Sequence, residues 1–388
     1  MTFQYRLLIV ASDDPYPDYQ WMRDHDPAHY SEIEDVWVLT RYDDVVNAFQ
    51  NHRIWSSQRR GNLLNDLPER IGKTLGTTDP PKHTFARRLV NKAFTPRTIA
   101  QLEPKIQRLA GALAAQAREM RTLEFVSTVS TPYNASLLGT MFGVPDADFI
   151  QLRHWLDDFF LRVQVPEGQE PPQKIAMRHL REYLSALADD RLKHPQDDLM
   201  TAMLQAEDDS GQRLEYDQVV VTTMTFLVAG FESINNLFTN MAYGMALHPH
   251  VYRALKDDPA QIDNFVEESA RWDAAAQGFV RSPHQDVELH GKVIPANAQV
   301  LLHIGAANRD ERFFHAPDLF DLSRDPRGHL GFGMGIHFCI GAPLGRLMTQ
   351  TLFREMLAVS ECWDIDKANS KRVTTPNFRG FSALPLTL

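Results

Sequence analysis

Apolar residues recur at three- and four-residue spacing over several long stretches of this chain and alternate over a few short ones. The first spacing predicts helices over residues 98–120, 146–163, 174–193 and 261–272. Between the second and third of these lies VPEGQEPPQ, a proline-rich loop that cannot be helical. Near the N-terminus a strand-like run over 36–40 leads into a helix over 41–51, and residues 55–57 close that unit. Residues 58–78 are polar, contain glycine and are weakly periodic; such a loop is either a plain surface excursion or a mobile lid over a site. Strands are expected at 287–290 and 299–303, and the C-terminal FRGFSALPLTL reads as a small sheet with a turn at Phe381–Ala383. There is no internal repeat, low-complexity tract or clear linker.

The longest pattern runs over Tyr216–Leu247, a single helix of roughly 50 Å at about 1.5 Å per residue. It is apolar on most sides, which predicts burial through the middle of the protein. Ala229-Gly230-Phe231-Glu232-Ser233 interrupts it. A mid-helix glycine costs about 1 kcal/mol against alanine, so Gly230 calls for a packing or functional reason. Ser233 can bond to a carbonyl one turn back and loosen the helix there, opening a groove for oxygen and water. Thr225, Val228, Ala229, Glu232 and Ser233 share a face by their spacing, whereas Phe231 points elsewhere, into core.

The 388 residues are 43% hydrophobic and 23% charged, enough for one large or two ordinary domains with ample core. A net charge of −10 argues against a nucleic-acid surface. Two cysteines, Cys339 and Cys362, imply no disulfide framework and suit a reducing compartment. No apolar run approaches membrane-spanning length and the N-terminus lacks a signal-peptide layout, so a cytoplasmic protein without a membrane partner is expected.

Composition alone names no chemistry; the stretch HLGFGMGIHFCIGAPLGRL does. Gly331, Gly333 and Gly335 alternate ahead of Cys339, with Gly341 just after it, so a flat partner can approach the backbone closely. Leu344, Leu347, Met348 and Leu352 then recur at helical spacing, which sets the cysteine almost at a helix N-terminus. The helix dipole and free N–H groups there push a thiol toward thiolate. A thiolate on such a loop suits an axial haem ligand. Zinc fits poorly, because only His337 lies close in sequence. Upstream, DPPKHTFARRLVNKAF opens a helix on two prolines with His83 and Arg87 four apart. That pair either clamps two carboxylates or forms a solvated basic helix start. Glu268 and Arg271 stand i, i+3, a spacing that usually gives a surface bridge.

F-G-x-G-x-H-x-C-x-G, from Phe332 to Gly341, resembles the haem-binding signature of the cytochromes P450. Three further motifs resemble that family in the correct order. His83 and Arg87 match its H-x-x-x-R propionate helix. Ala229 to Ser233 match its A-G-x-[D/E]-T oxygen-activating motif, with serine where threonine is usual. Glu268 and Arg271 match its E-x-x-R motif, and Arg324 in FDLSR fits the third partner of a buried structural network. The resemblance implies a mainly α, triangular, single haem domain over residues 1–388 with a minor β region. It implies haem b (iron protoporphyrin IX) with Cys339 as its only protein ligand. Phe332, Gly333, Gly341 and Ala229 would lie against the ring, and His83, Arg87, Arg281 and His337 would hold the propionates.

The resemblance further implies a monooxygenase that uses O2. Glu232 and Ser233 would relay protons, while Thr225, Val228, Ala229, Phe279 and Phe381 would line the substrate pocket. Residues 58–78 would form its lid, and the helix–loop–helix over 146–193 its flap. The expected substrate is a small-to-medium apolar molecule, neutral rather than an aromatic acid, although Arg59 and Arg60 in the lid leave room for an acid. Electrons would come from an iron–sulfur ferredoxin and its reductase, steered by Arg87, Arg88, Lys92 and Arg97. A peroxide-driven or oxidative-coupling enzyme, or a thiolate-haem sensor, is the alternative; the sensor has no need of a Glu232–Ser233 pair.

Overall fold

The computed structural model describes residues 5–388 apart from 65, 67, 161–164 and 167. Residues 65 and 67 of the polar loop and 161–163 of the helix expected over 146–163 therefore lie outside the described residues. Tyr216–Leu247 is one helix of 32 residues. Glu215 and Gln218 cap its first turn reciprocally, and His248 ends it ahead of Pro249. Helices Thr131–Met141, Pro172–Lys193 and Ile262–Trp272 pack around it, which is why it can be apolar on most sides. Pro96–Met120, capped by Thr95 (Thr98 N–H to Oγ1, 3.2 Å), packs along Ala342–Val359, the helix that follows Cys339.

Thr131–Met141 escapes the periodicity argument because it is enclosed on nearly all sides and has no polar stripe to betray it. Among its buried residues are Thr131, Tyr133 and Asn134 as well as Leu137. The β region centres on a five-stranded sheet in the order Ala28–Ser31, Val36–Leu39, Val300–His303, Gly278–Pro283, Trp55–Ser56. Only Val36–Leu39 and Val300–His303 run parallel. Phe279 and Arg281 are two apart on Gly278–Pro283 and so point to one face of the sheet. The C-terminal expectation needs correction. Phe381–Ala383 is no turn but a strand, paired irregularly with Lys371–Arg372.

Two neighbouring acids on Ile262–Trp272 hold the segment that leads to Cys339. Glu268 accepts two hydrogen bonds of 2.7 Å from Arg271, a third of 3.2 Å from Arg324, and the Asp321 N–H at 3.0 Å. Arg271 is fully enclosed and also donates to the carbonyls of Asn308 and Pro317, so this network is buried rather than a surface bridge. Glu267 accepts two bonds from Arg346, at 2.6 and 2.8 Å, and one of 2.9 Å from His329. The Arg346 guanidinium lies 4.4 Å over the Phe332 ring.

Burial alone would raise the Glu267 carboxyl, but the bonds from Arg346 and His329 outweigh it and hold it at about 2, below its ordinary 4.5. A depressed folded-state pKa gives stability that is complete above about pH 4.5 and is lost as pH falls toward 2. Glu267→Gln should therefore lower the thermal midpoint at pH 7, with the gap to the unmodified protein closing between pH 4.5 and 2. A gap that stays constant over that range would show that the carboxylate charge contributes nothing.

Candidate functional site

A cavity of about 300 Å³ lies between the central helix, the cysteine loop and the strand Gly278–Pro283. Thr225, Val228, Ala229 and Ser233 reach it from the helix, Phe332, Gly333, Cys339 and Gly341 from the loop, and Phe279 and Arg281 from the strand. The loop follows its glycines. A Cβ on Gly331 would meet the Ala270 carbonyl oxygen at 2.5 Å, and Gly335, at φ +71°, leaves the Phe49 carbonyl the same short distance. The Cys339 N–H donates to the Phe332 carbonyl at 2.9 Å, which turns the thiol toward the cavity. Its exposed surface faces that cavity rather than bulk water.

Enclosure accordingly pushes the Cys339 pKa up, against the amides of Gly341 and Ala342 and the charges of Arg87 and Arg346. The amides at the helix start do act toward thiolate, as the sequence suggests, and desolvation opposes them. A cation bound beside the sulfur would favour the thiolate.

Four basic side chains gather beside the thiol. Arg281 is 3% exposed, donates only to the Val280 carbonyl (2.8 Å), stacks 5.3 Å over Phe49 and has no carboxylate within ion-pair distance among the described residues. Burial pulls it down to about 10, with Asp79 opposing. Arg87 lines the cavity and donates to the Phe338 carbonyl at 2.8 Å. His337 bonds to Ser57 Oγ at 3.0 Å, and burial with Arg281 and His83 nearby keeps it neutral. His83 lies behind it, ring to ring at 4.4 Å, and does not itself line the cavity. Both His83 nitrogens are buried without a hydrogen-bond partner among the described residues. Burial, then Arg87, lowers its pKa to about 4. A thiol, a glycine-made cradle, the buried Arg281 cation, Arg87 on the wall and two neutral imidazoles fit a flat metal macrocycle carrying two carboxylates, which is what haem is.

The Cytochrome P450 family model matches residues 167–361. Cytochrome P450 monooxygenase PikC of Streptomyces venezuelae is 32% identical over 382 residues, 96% of this chain and 91% of that one. Vitamin D(3) 25-hydroxylase of Pseudonocardia autotrophica is 32% identical over 97% of this chain and 94% of its own. This chain belongs to the cytochrome P450 family. The solved structure of the P450 CYP109Q5 from Chondromyces apiculatus superposes with a TM-score of 0.89 at 30% identity, covering 98% of this chain and 96% of that one. CYP109E1 of Bacillus megaterium, in complex with corticosterone, gives 0.87 at 28%, covering 96% and 98%. The chain is thus an oxidoreductase of mainly α P450 fold. No helix among the described residues is long and apolar enough to cross a membrane.

Within the P450 cavity several sequence expectations change. Phe381 does not line it. Its N–H donates to Thr239 Oγ1 (3.1 Å), and its ring packs against Tyr243 (4.7 Å) under the Arg372 guanidinium (3.9 Å). Phe378, three residues earlier, lines the cavity instead. Phe381 pairs with Arg372, whereas Phe378 bridges to Ala276, itself a residue of the cavity wall, and sequence alternation carries no sign of the difference. Glu232 also lies off the cavity wall; its carboxylate accepts from Asn236 Nδ2 at 3.0 Å, while Ser233 faces the cavity and donates to the Ala229 carbonyl at 2.7 Å.

Sequence reasoning missed Asn134, whose Nδ2 donates to the carbonyls of both Gly230 (3.2 Å) and Phe231 (2.9 Å) where the helix is weakened. Nothing in TPYNASLLGTM marks it in advance. The 58–78 loop is no plain excursion, since Asn62, Leu63, Arg70, Leu75 and Gly76 line the cavity. Arg59 and Arg60 turn outward to His284 and the Asn297 carbonyl. The flap expected over 146–193 supplies no described residue to the wall; Pro172–Lys193 packs on the central helix instead.

Phe279→Ala should weaken binding of small ring compounds, about 1 kcal/mol per lost ring contact beyond area, and admit bulkier ones. Phe381→Ala should instead cost about 3–5 kcal/mol of stability and leave the ligand range unchanged. Titrations followed by haem absorbance, paired with thermal melts, separate the two; a changed ligand range in Phe381→Ala would contradict the cavity wall described here.

Proposed function

We propose that the whole of residues 1–388 forms one haem domain, a monooxygenase that inserts one atom of O2 into a small-to-medium neutral apolar molecule. The observation that carries this reading is one apolar cavity shared by the Cys339 thiol and the Ser233 hydroxyl. Haem b would be held there by Cys339 as its only protein ligand and would supply the oxygen-activating chemistry. Arg281 and Arg87 would neutralise its propionates and His337 and His83 would donate ring N–H groups to them, while Phe332, Gly333, Gly341 and Ala229 would leave room for the ring.

Ser233 presents its hydroxyl to the cavity and carries protons inward. Glu232, held by Asn236 away from the wall, acts one step back as their supplier. Thr225, Val228, Ala229, Phe279 and Phe378 shape the substrate space, where fit counts for more than hydrogen bonds. CYP109E1 holds corticosterone in one solved structure and testosterone in another, which supports neutral polycyclic compounds as candidates here. A peroxide-driven enzyme would favour a carboxylate-binding arginine in place of the Glu232–Ser233 pair. Here the pair is present, and Arg70, which does line the cavity, is already bonded to Asp66 at 2.9 Å.

The electron donor in this reading is an acidic iron–sulfur ferredoxin with its reductase. Its docking patch is weaker than the sequence suggested. Arg88 pairs with Asp208 at 2.8 Å, and Lys92 binds the Glu207 carbonyl at 2.8 Å beside Asp209. Arg97 remains exposed.

Cys339→His should abolish the thiolate-type absorbance of the ferrous carbonyl complex, and survival of that band would end the ligand assignment. With a ferredoxin and its reductase as donor, Ser233→Ala should retain substrate affinity but yield several-fold less product per reductant consumed. Unmodified turnover in the same assay should fall with rising ionic strength. An unchanged yield would remove the relay role, and salt-independent turnover the steering.

A further inference from the structure

Among the charged groups that line the cavity, Arg70 is the one given no role toward haem or substrate above. It is 93% buried by its 7% exposure, on a loop that also contributes Leu63 and Leu75 to an otherwise mainly apolar wall. One guanidinium N–H goes to Asp66, whose carboxylate is wholly enclosed, and among the described residues the guanidinium makes no other hydrogen bond. Arginine carries five N–H donors, so most remain for a ligand.

The loop holds this side chain in place. Asp66 packs on Gly61, where φ is +81° and a Cβ would meet the carboxylate at 2.5 Å, and it also accepts the Asn62 N–H at 3.1 Å. The Asn62 carbonyl accepts from Val280 N at 3.0 Å, which ties the loop to the strand bearing Phe279 and Arg281. Thr77 Oγ1 donates to the Arg70 carbonyl at 2.7 Å.

We propose that Arg70 is the polar anchor of the substrate cavity and that it selects a neutral ring compound bearing a carbonyl oxygen. Asp66 cancels the arginine's charge, so a second carboxylate gains little attraction and is repelled by the first. A carbonyl oxygen has no such penalty and accepts an N–H that the apolar wall otherwise leaves without a partner. The anchor also fixes which end of the molecule faces away from Arg70 toward the rest of the cavity, so it governs the position oxidised. It rests on the monooxygenase reading of this cavity.

The test compares three compounds of one ring skeleton, tetralin, 2-tetralone and tetralin-2-carboxylate, by calorimetry on the haem-loaded protein. The ketone should bind about tenfold tighter than the hydrocarbon, as a hydrogen bond to a charged donor gives, and tighter than the acid. Arg70→Met alone strands the Asp66 carboxylate, so the decisive variant is Asp66→Leu with Arg70→Met, which removes both charges. In it the ketone should fall to the level of tetralin, with tetralin itself moving less than about twofold. Equal binding of ketone and hydrocarbon to the unmodified protein, tightest binding of the acid, or a ketone preference that survives the double replacement would each overturn the anchor. The three-ligand comparison on the unmodified protein stands without either variant. The ferrous carbonyl spectrum of each protein reports separately on the haem–thiolate reading, so loss of the ketone preference with that spectrum intact indicts Arg70 alone.

Discussion

The site depends on how one short helix grips the cysteine segment. Glu267 and Glu268 are adjacent on Ile262–Trp272, so their side chains leave it in different directions. Glu268 reaches Arg271, Arg324 and the Asp321 amide, all upstream of the cysteine loop. Glu267 reaches His329 at the start of that loop and Arg346 beyond its end. The cysteine segment is therefore held before and after Cys339 by charge-assisted bonds, and Gly331 lies against the same helix at Ala270. Removing one member of the buried Glu268–Arg271 pair costs about 3–5 kcal/mol, because it leaves a charge without a partner.

Beside this closed network lies its opposite, a group of bases without acids. Arg281, Arg87 and His337 stand at one end of the cavity with His83 behind them, and Asp79 is the acid whose charge opposes the effect of burial on Arg281. Asp79 is itself engaged by Ser56 and the Ser57 amide. A folded protein tolerates such an imbalance where a ligand supplies the missing charge. The same logic applies to Cys339, whose enclosure disfavours the thiolate until a cation binds. The protein is thus prepared for a partner that brings a cation at its centre and carboxylates at its edge.

The central helix reconciles burial with access. A side chain at Gly230 would crowd Leu138 at 3.0 Å, and Asn134 takes up the carbonyls of Gly230 and Phe231 from the neighbouring helix. Ser233 bonds back to Ala229 on the cavity side. The carbonyls of Ala229, Gly230 and Phe231 thus accept from side chains, and the helix continues unbroken to Leu247.

The sequence by itself determined the long helix, to its residue bounds, and the cysteine loop, because each is written in a local period or a fixed spacing. It also marked Glu268, Arg271 and Arg324 as possible partners, although only folding could decide that they are buried. Choices between near neighbours were left to tertiary structure. Phe378 and Phe381 look equivalent in FRGFSALP, yet one bridges to Ala276 on the cavity wall and the other lies under Arg372. Glu232 and Ser233 are adjacent, yet Asn236 draws the acid off the wall. Arg59, Arg60 and Arg70 share one polar loop, and only Arg70 reaches the cavity, because Asp66 and the tie from Asn62 to Val280 fold the loop inward there. Local spacing fixes which face of an element a side chain leaves from. What that side chain then meets also depends on partners far along the chain, as Asn62 is from Val280, and no local pattern records those.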